Sequence, residues 1–183
     1  MSPSVQVRRA SRLLALGGVV AHATEAVIGL AADAFNQDAV GRVRRLKRRT
    51  RAKPFLVVAA SLEQLLPLVS LDGPLRREIL ASWPGPHTWV LPAQARAPAW
   101  LRSSTGHIAV RITAHPQMTW LCRAVGPLVS TSANPAGRRP ASTILAARRY
   151  FLASVDAYLA GATGGSARPS TIRDGISGRI LRA

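Results

Sequence analysis

Three features of this 183-residue sequence predict an α/β domain built on a twisted, mixed sheet flanked by helices. Short β-branched runs alternate with amphipathic segments of helical period, which points to strands interleaved with helices and not to an all-helical bundle. Hydrophobic residues make up 48% of the chain, enough for the core of one domain spanning 1–183. The polar clusters Thr24-Glu25, Lys47/Arg49/Lys53, Arg111 and Ser130 to Asn134 all flank apolar runs. At the strand ends of an open α/β sheet such positions converge on one cleft.

The elements follow in order. Residues 5–16 read as an amphipathic helix, with Arg8, Arg9 and Arg12 on one side and Val7, Leu13, Leu14 and Leu16 on the other. Gly17-Gly18 ends it, and 18–22 form a short buried strand that delivers Thr24-Glu25 to a loop. Asn36 or Asp38 caps a helix running to about Arg48, with Ala39, Val40, Val43 and Leu46 as its apolar face. Residues 55–60 are the second strand, and 62–69 and 74–83 are helical, the latter starting on a favourable early proline. Trp83-Pro84-Gly85-Pro86 then turns the chain into a strand over 88–91.

A strand over 108–112 carries Arg111 inside an apolar run, where the charge must face solvent or meet an anion. A helix over 115–124 leads to a strand over 127–129. The run Ser130-Thr131-Ser132-Ala133-Asn134-Pro135 predicts a tight polar turn, because Ser and Asn side chains compete for backbone hydrogen bonds and Pro135 lacks a donor. A helix over 142–151, a strand over 155–159, a Gly/Ser/Pro-rich loop with Ser170-Thr171-Ile172 and a last strand over 179–181 complete the chain. The total is roughly seven strands and about five or six helices.

Charge narrows the function. The net charge of +17 draws polyanions, so nucleotides and nucleic acids come first among ligands, although solubility alone accounts for many exposed arginines. Only two of the 25 cationic residues are lysines, Lys47 and Lys53, and both lie in one stretch. A compact ammonium suits a phosphate site, while the same cations also fit a solvated helix C-terminus. Cys122 is the single cysteine, and His22, His87, His107 and His115 lack ligand spacing. That leaves no disulfide and no metal cluster and points to a reducing cytoplasm. Arg8, Arg9 and Arg12 before an apolar run resemble a secretory leader, but Gly17-Gly18 splits the run into a helical and a β-branched half. No run reaches the roughly 18 apolar residues of a membrane span, which predicts a soluble protein. The GxxxxGKS/T, GxGxxG, GxSxG and HExxH signatures are absent, so a nucleotide must be held by charged side chains and small hydroxyls.

Together these pieces resemble the TsaC/YrdC family of threonylcarbamoyl-AMP synthases. The resemblance covers nearly the whole chain and rests on Gly17-Gly18-Val19-Val20 leading to Thr24-Glu25 and Gly29-Leu30, Lys47-Arg48-Arg49 with Lys53, and Trp83 to Thr88. Ala109-Val110-Arg111, Ser130 to Asn134 and Ser170-Thr171-Ile172 complete it. It implies an α/β domain with a basic concave cavity and a nucleotidyltransferase reaction. ATP, L-threonine and bicarbonate would give L-threonylcarbamoyladenylate and pyrophosphate for threonylcarbamoyladenosine at position 37 of tRNA. The family pattern implies Lys47, Arg49, Ser132 and Asn134 as the catalytic group, with Arg49, Lys53, Asn134, Ser142 and Arg182 around ATP. Thr24, Arg111, Ser132 and Ser170 would surround threonine, with Arg111 on its carboxylate. A Mg2+ ion would accompany ATP, with no dedicated protein cage. His22-Ala23-Thr24-Glu25 replaces the family's Tyr-Pro-Thr-Glu, and Ala26 and Val58 also depart near threonine, Val58 where many long members have histidine. Longer members continue beyond this chain's end, so the cleft or a partner, such as a tRNA threonylcarbamoyl-transferase complex, would guard the labile product. The alternative is a non-catalytic module that grips double-stranded RNA or tRNA with the same basic cleft.

Overall fold

The computed structural model describes residues 4–50, 53–165 and 170–182. In chain order the elements are α1 (Val5–Ala15), β1 (Val20–Ala23), β2 (Ile28–Asp33), α2 (Gln37–Lys47), β3 (Leu56–Ala59), α3 (Arg76–Ala81) and β4 (His87–Pro92). They continue with β5 (His107–Ile112), α4 (Pro116–Val125), β6 (Leu128–Ser132), α5 (Ile144–Phe151), β7 (Ala157–Tyr158), β8 (Thr171–Asp174) and β9 (Ile180–Arg182). The strands form one nine-stranded sheet in the order β7-β1-β2-β6-β3-β5-β4-β8-β9. It is mixed, as expected: β3 pairs parallel with β5 and antiparallel with β6. No helix among the described residues is long and apolar enough to cross a membrane.

Local chemistry sets the helix ends. The Ser4 hydroxyl accepts from Val7 N at the start of α1, and the Asn36 side chain accepts from Ala39 N at the start of α2. Gly17 adopts φ +82°, and Gly18 N donates to Leu13 O at 2.8 Å, which turns the chain off α1 into β1. A side chain at Gly17 would strike the Asn36 amide, so this turn also packs against the next helix cap.

The sheet buries both faces. On one side Val57, Leu30, Val110 and Trp89 pack with Val40 and Val43 of α2. On the other Val20, Ala31, Val58 and Leu128 lie under Val7 and Leu14 of α1 and Met118 and Leu121 of α4. Leu16 is exposed and does not join the apolar face of α1.

Three expectations are corrected. Residues 62–69 are successive turns and not a helix: Leu65 N and Leu68 N donate to carbonyls three residues back, and Pro67 has no N–H to continue an α-helix. Leu65, Leu68 and Val69 are nevertheless buried, because turns satisfy the same apolar spacing. Strand β2 was not foreseen; its Gly and Ala content carries little strand preference, and long-range pairing with β1 and β6 creates it. The polar turn starts later than expected, since Ser130, Thr131 and Ser132 continue β6 opposite Ala31, Leu30 and Gly29. Only at Asn134, whose N donates to Ser132 O, does the chain turn away.

Candidate active site

The end of α2 sends two cations in different directions. Arg48 takes the left-handed conformation at φ 50°, ψ 43°, and Arg49 N reaches back to Arg44 O. Lys47, still helical, faces inward and is only 5% exposed. Its ammonium has three hydrogens, and each finds an acceptor: Ser132 O at 2.6 Å, Asn134 Oδ1 at 2.9 Å and Ser132 Oγ at 3.3 Å. All three are neutral oxygens, so dipoles solvate the charge without cancelling it. Burial, with repulsion from Arg49 second, lowers the Lys47 pKa to about 8.

Asn134 is saturated as well. Its Oδ1 also accepts from Ser132 Oγ at 2.6 Å, while its Nδ2 donates to Pro135 O and Arg138 O. One side chain thereby fixes the loop beyond β6 and the two groups next to it.

Arg49 turns the other way, where its Nε donates to Lys53 O and its Nη2 to Pro54 O. Its guanidinium lies 5.0 Å from the Phe55 ring centroid, and Arg44 sits at the same distance. Burial first, then Arg44 and Arg182, holds the Arg49 pKa below its ordinary value. Lys47, Arg49, Lys53, Ser132 and Asn134 together line a cavity of about 400 Å³ whose lining contains no carboxylate.

A second polar cluster occupies the ends of β1 and β5. Arg111, buried, meets an anion as its position demanded, and that anion is Glu25: Nη2 lies 3.2 Å from Oε2. Thr113 donates to the other Glu25 oxygen at 2.7 Å. Arg111 Nε has no partner among the described residues, and burial pushes this guanidinium's pKa down against the opposing pull of Glu25. Thr24 O accepts from Gly164 N, and its hydroxyl closes a turn by donating to Val27 O. Burial holds Cys122 near pKa 12, an inert core thiol that donates to Val58 O.

Five of the expected residues therefore meet in the cavity, while Arg111 pairs with Glu25, the residue that follows Thr24, in the second cluster. Ser170 lies 3.3 Å from Thr88 Oγ1, and Arg182 Nη2 donates to Ser170 O. Repulsion from Arg182 contributes to lowering the pKa of both Arg49 and Arg111. Ser142 is exposed, next to Ala141, and is not part of the cavity lining. Val58 is buried under α1 and α4 in the apolar core. Thr113 and Phe55 were missed as site residues; Glu25 was singled out as part of a strand-end polar cluster but given no role.

This fold and site define an α/β protein with a cation-lined cavity and a separate, largely buried Arg111–Glu25 ion pair. The family model Sua5_yciO_yrdC, described as "Telomere recombination", matches residues 12–183, and the chain belongs to this family. The threonylcarbamoyl-AMP synthase of Halorhodospira halophila is 50% identical over 179 residues, 97% of this chain and 94% of that one. That of Pseudomonas aeruginosa is 45% identical over 188 residues, 100% and 99% of the two chains. Among solved structures, a variant of P. abyssi Sua5 matches with TM-score 0.89 and 30% identity over 96% of this chain and 55% of its own. P. abyssi Sua5 complexed with L-threonine matches with TM-score 0.85 and 31% identity over 92% of this chain and 50% of its own. The chain thus spans about half the length of those two proteins.

Proposed function

We propose that this protein is a threonylcarbamoyl-AMP synthase, a nucleotidyltransferase that joins L-threonine, bicarbonate and ATP into L-threonylcarbamoyladenylate and releases pyrophosphate. The observation that carries the reading is the Lys47–Ser132–Asn134 network on a carboxylate-free, cation-lined cavity, in a chain that also holds a buried arginine, Arg111, with an unpartnered Nε among the described residues. The identity to synthases along the whole chain supports it.

The reaction brings anions together. The threonine amine takes up bicarbonate with loss of water, and an oxygen of the resulting carbamate displaces pyrophosphate from the α-phosphorus. Charge must be stabilised at carbamate, α-phosphate and leaving group, and positive groups already fixed in place do this without reorganising. Arg49 and Lys53 hold the triphosphate, with Ser142 and Arg182 as further nucleotide contacts. Lys47 stabilises developing charge from behind the Ser132–Asn134 oxygens; to touch a phosphate oxygen directly it releases its longest hydrogen bond, to Ser132 Oγ. Arg111 offers Nε to the threonine carboxylate, with Thr24 and Ser170 beside it.

The cavity's donors are ammonium, guanidinium, hydroxyl and amide groups, which do not make a cation cage. Mg2+ would therefore accompany the triphosphate as part of the substrate, where it would supply further charge neutralisation beside Arg49 and Lys53. The product passes to a tRNA threonylcarbamoyl-transferase complex in the cytoplasm, and the excess positive charge favours tRNA nearby. The test is incubation with ATP, L-threonine and bicarbonate and mass detection of the adenylate with pyrophosphate release. Tight RNA binding at physiological salt with no adenylate formed would overturn the reading.

A further inference from the structure

Two of the cations placed at the phosphates are already engaged within the protein. Lys47 uses all three ammonium hydrogens on Ser132 and Asn134, and Arg49 uses Nε on Lys53 O and Nη2 on Pro54 O beside the Phe55 ring. Arg48, which stands between them in the chain, lines the same cavity and is exposed. Its side chain has no partner among the described residues, so the five N–H groups of its guanidinium are uncommitted.

The backbone of Arg48 is an independent observation. It holds φ 50°, ψ 43°, the left-handed region in which a Cβ is crowded and glycine is at ease. Arg48 N donates to Arg45 O at 2.9 Å and Arg49 N to Arg44 O at 3.0 Å, the paired bonds of a helix end whose left-handed residue is most often glycine. The negative pole of α2 does not account for an arginine at this point, because Arg44, Arg45 and Lys47 already supply cations in its last turn. A strained conformation kept in a cavity wall is characteristic of a side chain with a ligand to meet.

The turn also sorts the cations by depth. Lys47 is buried against the Ser132–Asn134 oxygens, whereas Arg48 and Lys53 are exposed at the edge of the cavity. An ATP whose α-phosphate sits against the Lys47 network carries its β- and γ-phosphates toward that edge.

We propose that Arg48 is a further ATP-binding residue, its guanidinium taking two oxygens of the β- and γ-phosphates and holding the pyrophosphate until it leaves. The assignment rests on the synthase reading, which gives the nucleotide its direction, and adds to it a residue that recognises the phosphate tail. A planar fork matches two phosphate oxygens at once, which the point charge of Lys53 cannot do.

The experiment is calorimetric titration of ATP, inorganic pyrophosphate and AMP, each with Mg2+, into the full chain and its Arg48→Gly and Arg48→Asn variants. Glycine and asparagine both accept the left-handed conformation, so the helix end is kept. ATP and pyrophosphate are expected to bind about tenfold more weakly to both variants, with AMP bound as by wild type. Ligand-free Arg48→Gly is expected to melt no lower than wild type, since the crowded Cβ is gone. Unchanged affinity for ATP and pyrophosphate overturns the assignment, returns Arg48 to a solvated helix end and leaves the synthase reading standing. Equal losses for AMP and ATP overturn it as well, because the contact is then not with the tail. Early melting of Arg48→Gly with weaker binding of all three ligands overturns it as a structural effect. A fall in affinity for an RNA duplex with ATP affinity unchanged overturns it in favour of a nucleic-acid contact. No binding of ATP or pyrophosphate by wild type overturns both the assignment and the synthase reading.

Discussion

Replacing Lys47 by Met keeps the length of the side chain and removes one buried charge. The depression of the Lys47 pKa from 10.5 to about 8 means that folding makes its charged form about 3 kcal/mol less favourable. Three hydrogen bonds from the ammonium to Ser132 and Asn134 offset part of that cost. The ligand-free variant should therefore melt within a few degrees of wild type, or slightly above it. Catalysis should respond very differently. A unit charge about 5 Å from the leaving phosphates, at an effective dielectric of about 20, is worth about 3 kcal/mol, a loss of roughly 200-fold in turnover.

The pH dependence separates the two roles further. Between the folded value near 8 and the unfolded value of 10.5 the unfolded chain binds more protons at this residue, so Lys47 makes stability rise with pH across that window. Free-enzyme activity should fall across the same window, as kcat/KM for ATP follows loss of the ammonium. The assay is pyrophosphate release from pH 6.5 to 10 alongside melting temperatures for wild type and Lys47→Met. Early melting of Lys47→Met with full turnover at low temperature would refute the argument and leave Lys47 as a structural peg.

Other outcomes can be checked independently. Asn134→Ala should lose about 1.5–3 kcal/mol of transition-state stabilisation, read in kcat/KM for ATP, because Asn134 orients both Lys47 and Ser132; unchanged activity with a lowered melting temperature would make it only a loop anchor. Glu25→Gln leaves Arg111 buried without its counter-ion and should cost about 3–5 kcal/mol in denaturant unfolding. Threonine should raise the melting temperature of that variant more than of wild type, and equal rises would remove the substrate carboxylate from Arg111. Lys53→Ala, at the exposed rim, should weaken ATP binding several-fold by titration with no change in melting temperature.

What could be read from the sequence was chemistry confined to short windows. The lysine pair, the Ser132-Ala133-Asn134 run and a charge inside the apolar run around Arg111 each have an unusual residue type where a local rule is broken, and each proved part of a polar cluster. The helix cap at Asn36 was equally local. Tertiary structure alone decided which groups are partners. Glu25 lies in the loop after β1 and Arg111 in β5, which is not a neighbour of β1 in the sheet, so no spacing could pair them. The approach of both Arg44 and Arg49 to the Phe55 ring depends on a left-handed Arg48 that turns the chain after α2. Strand β2 has almost no intrinsic preference for its conformation and exists because β1 and β6 supply its hydrogen bonds. Its Gly29 lies between His22 and Ser132 for the same reason: cross-strand register, a property of three distant segments, sets what stands beside a residue with no side chain.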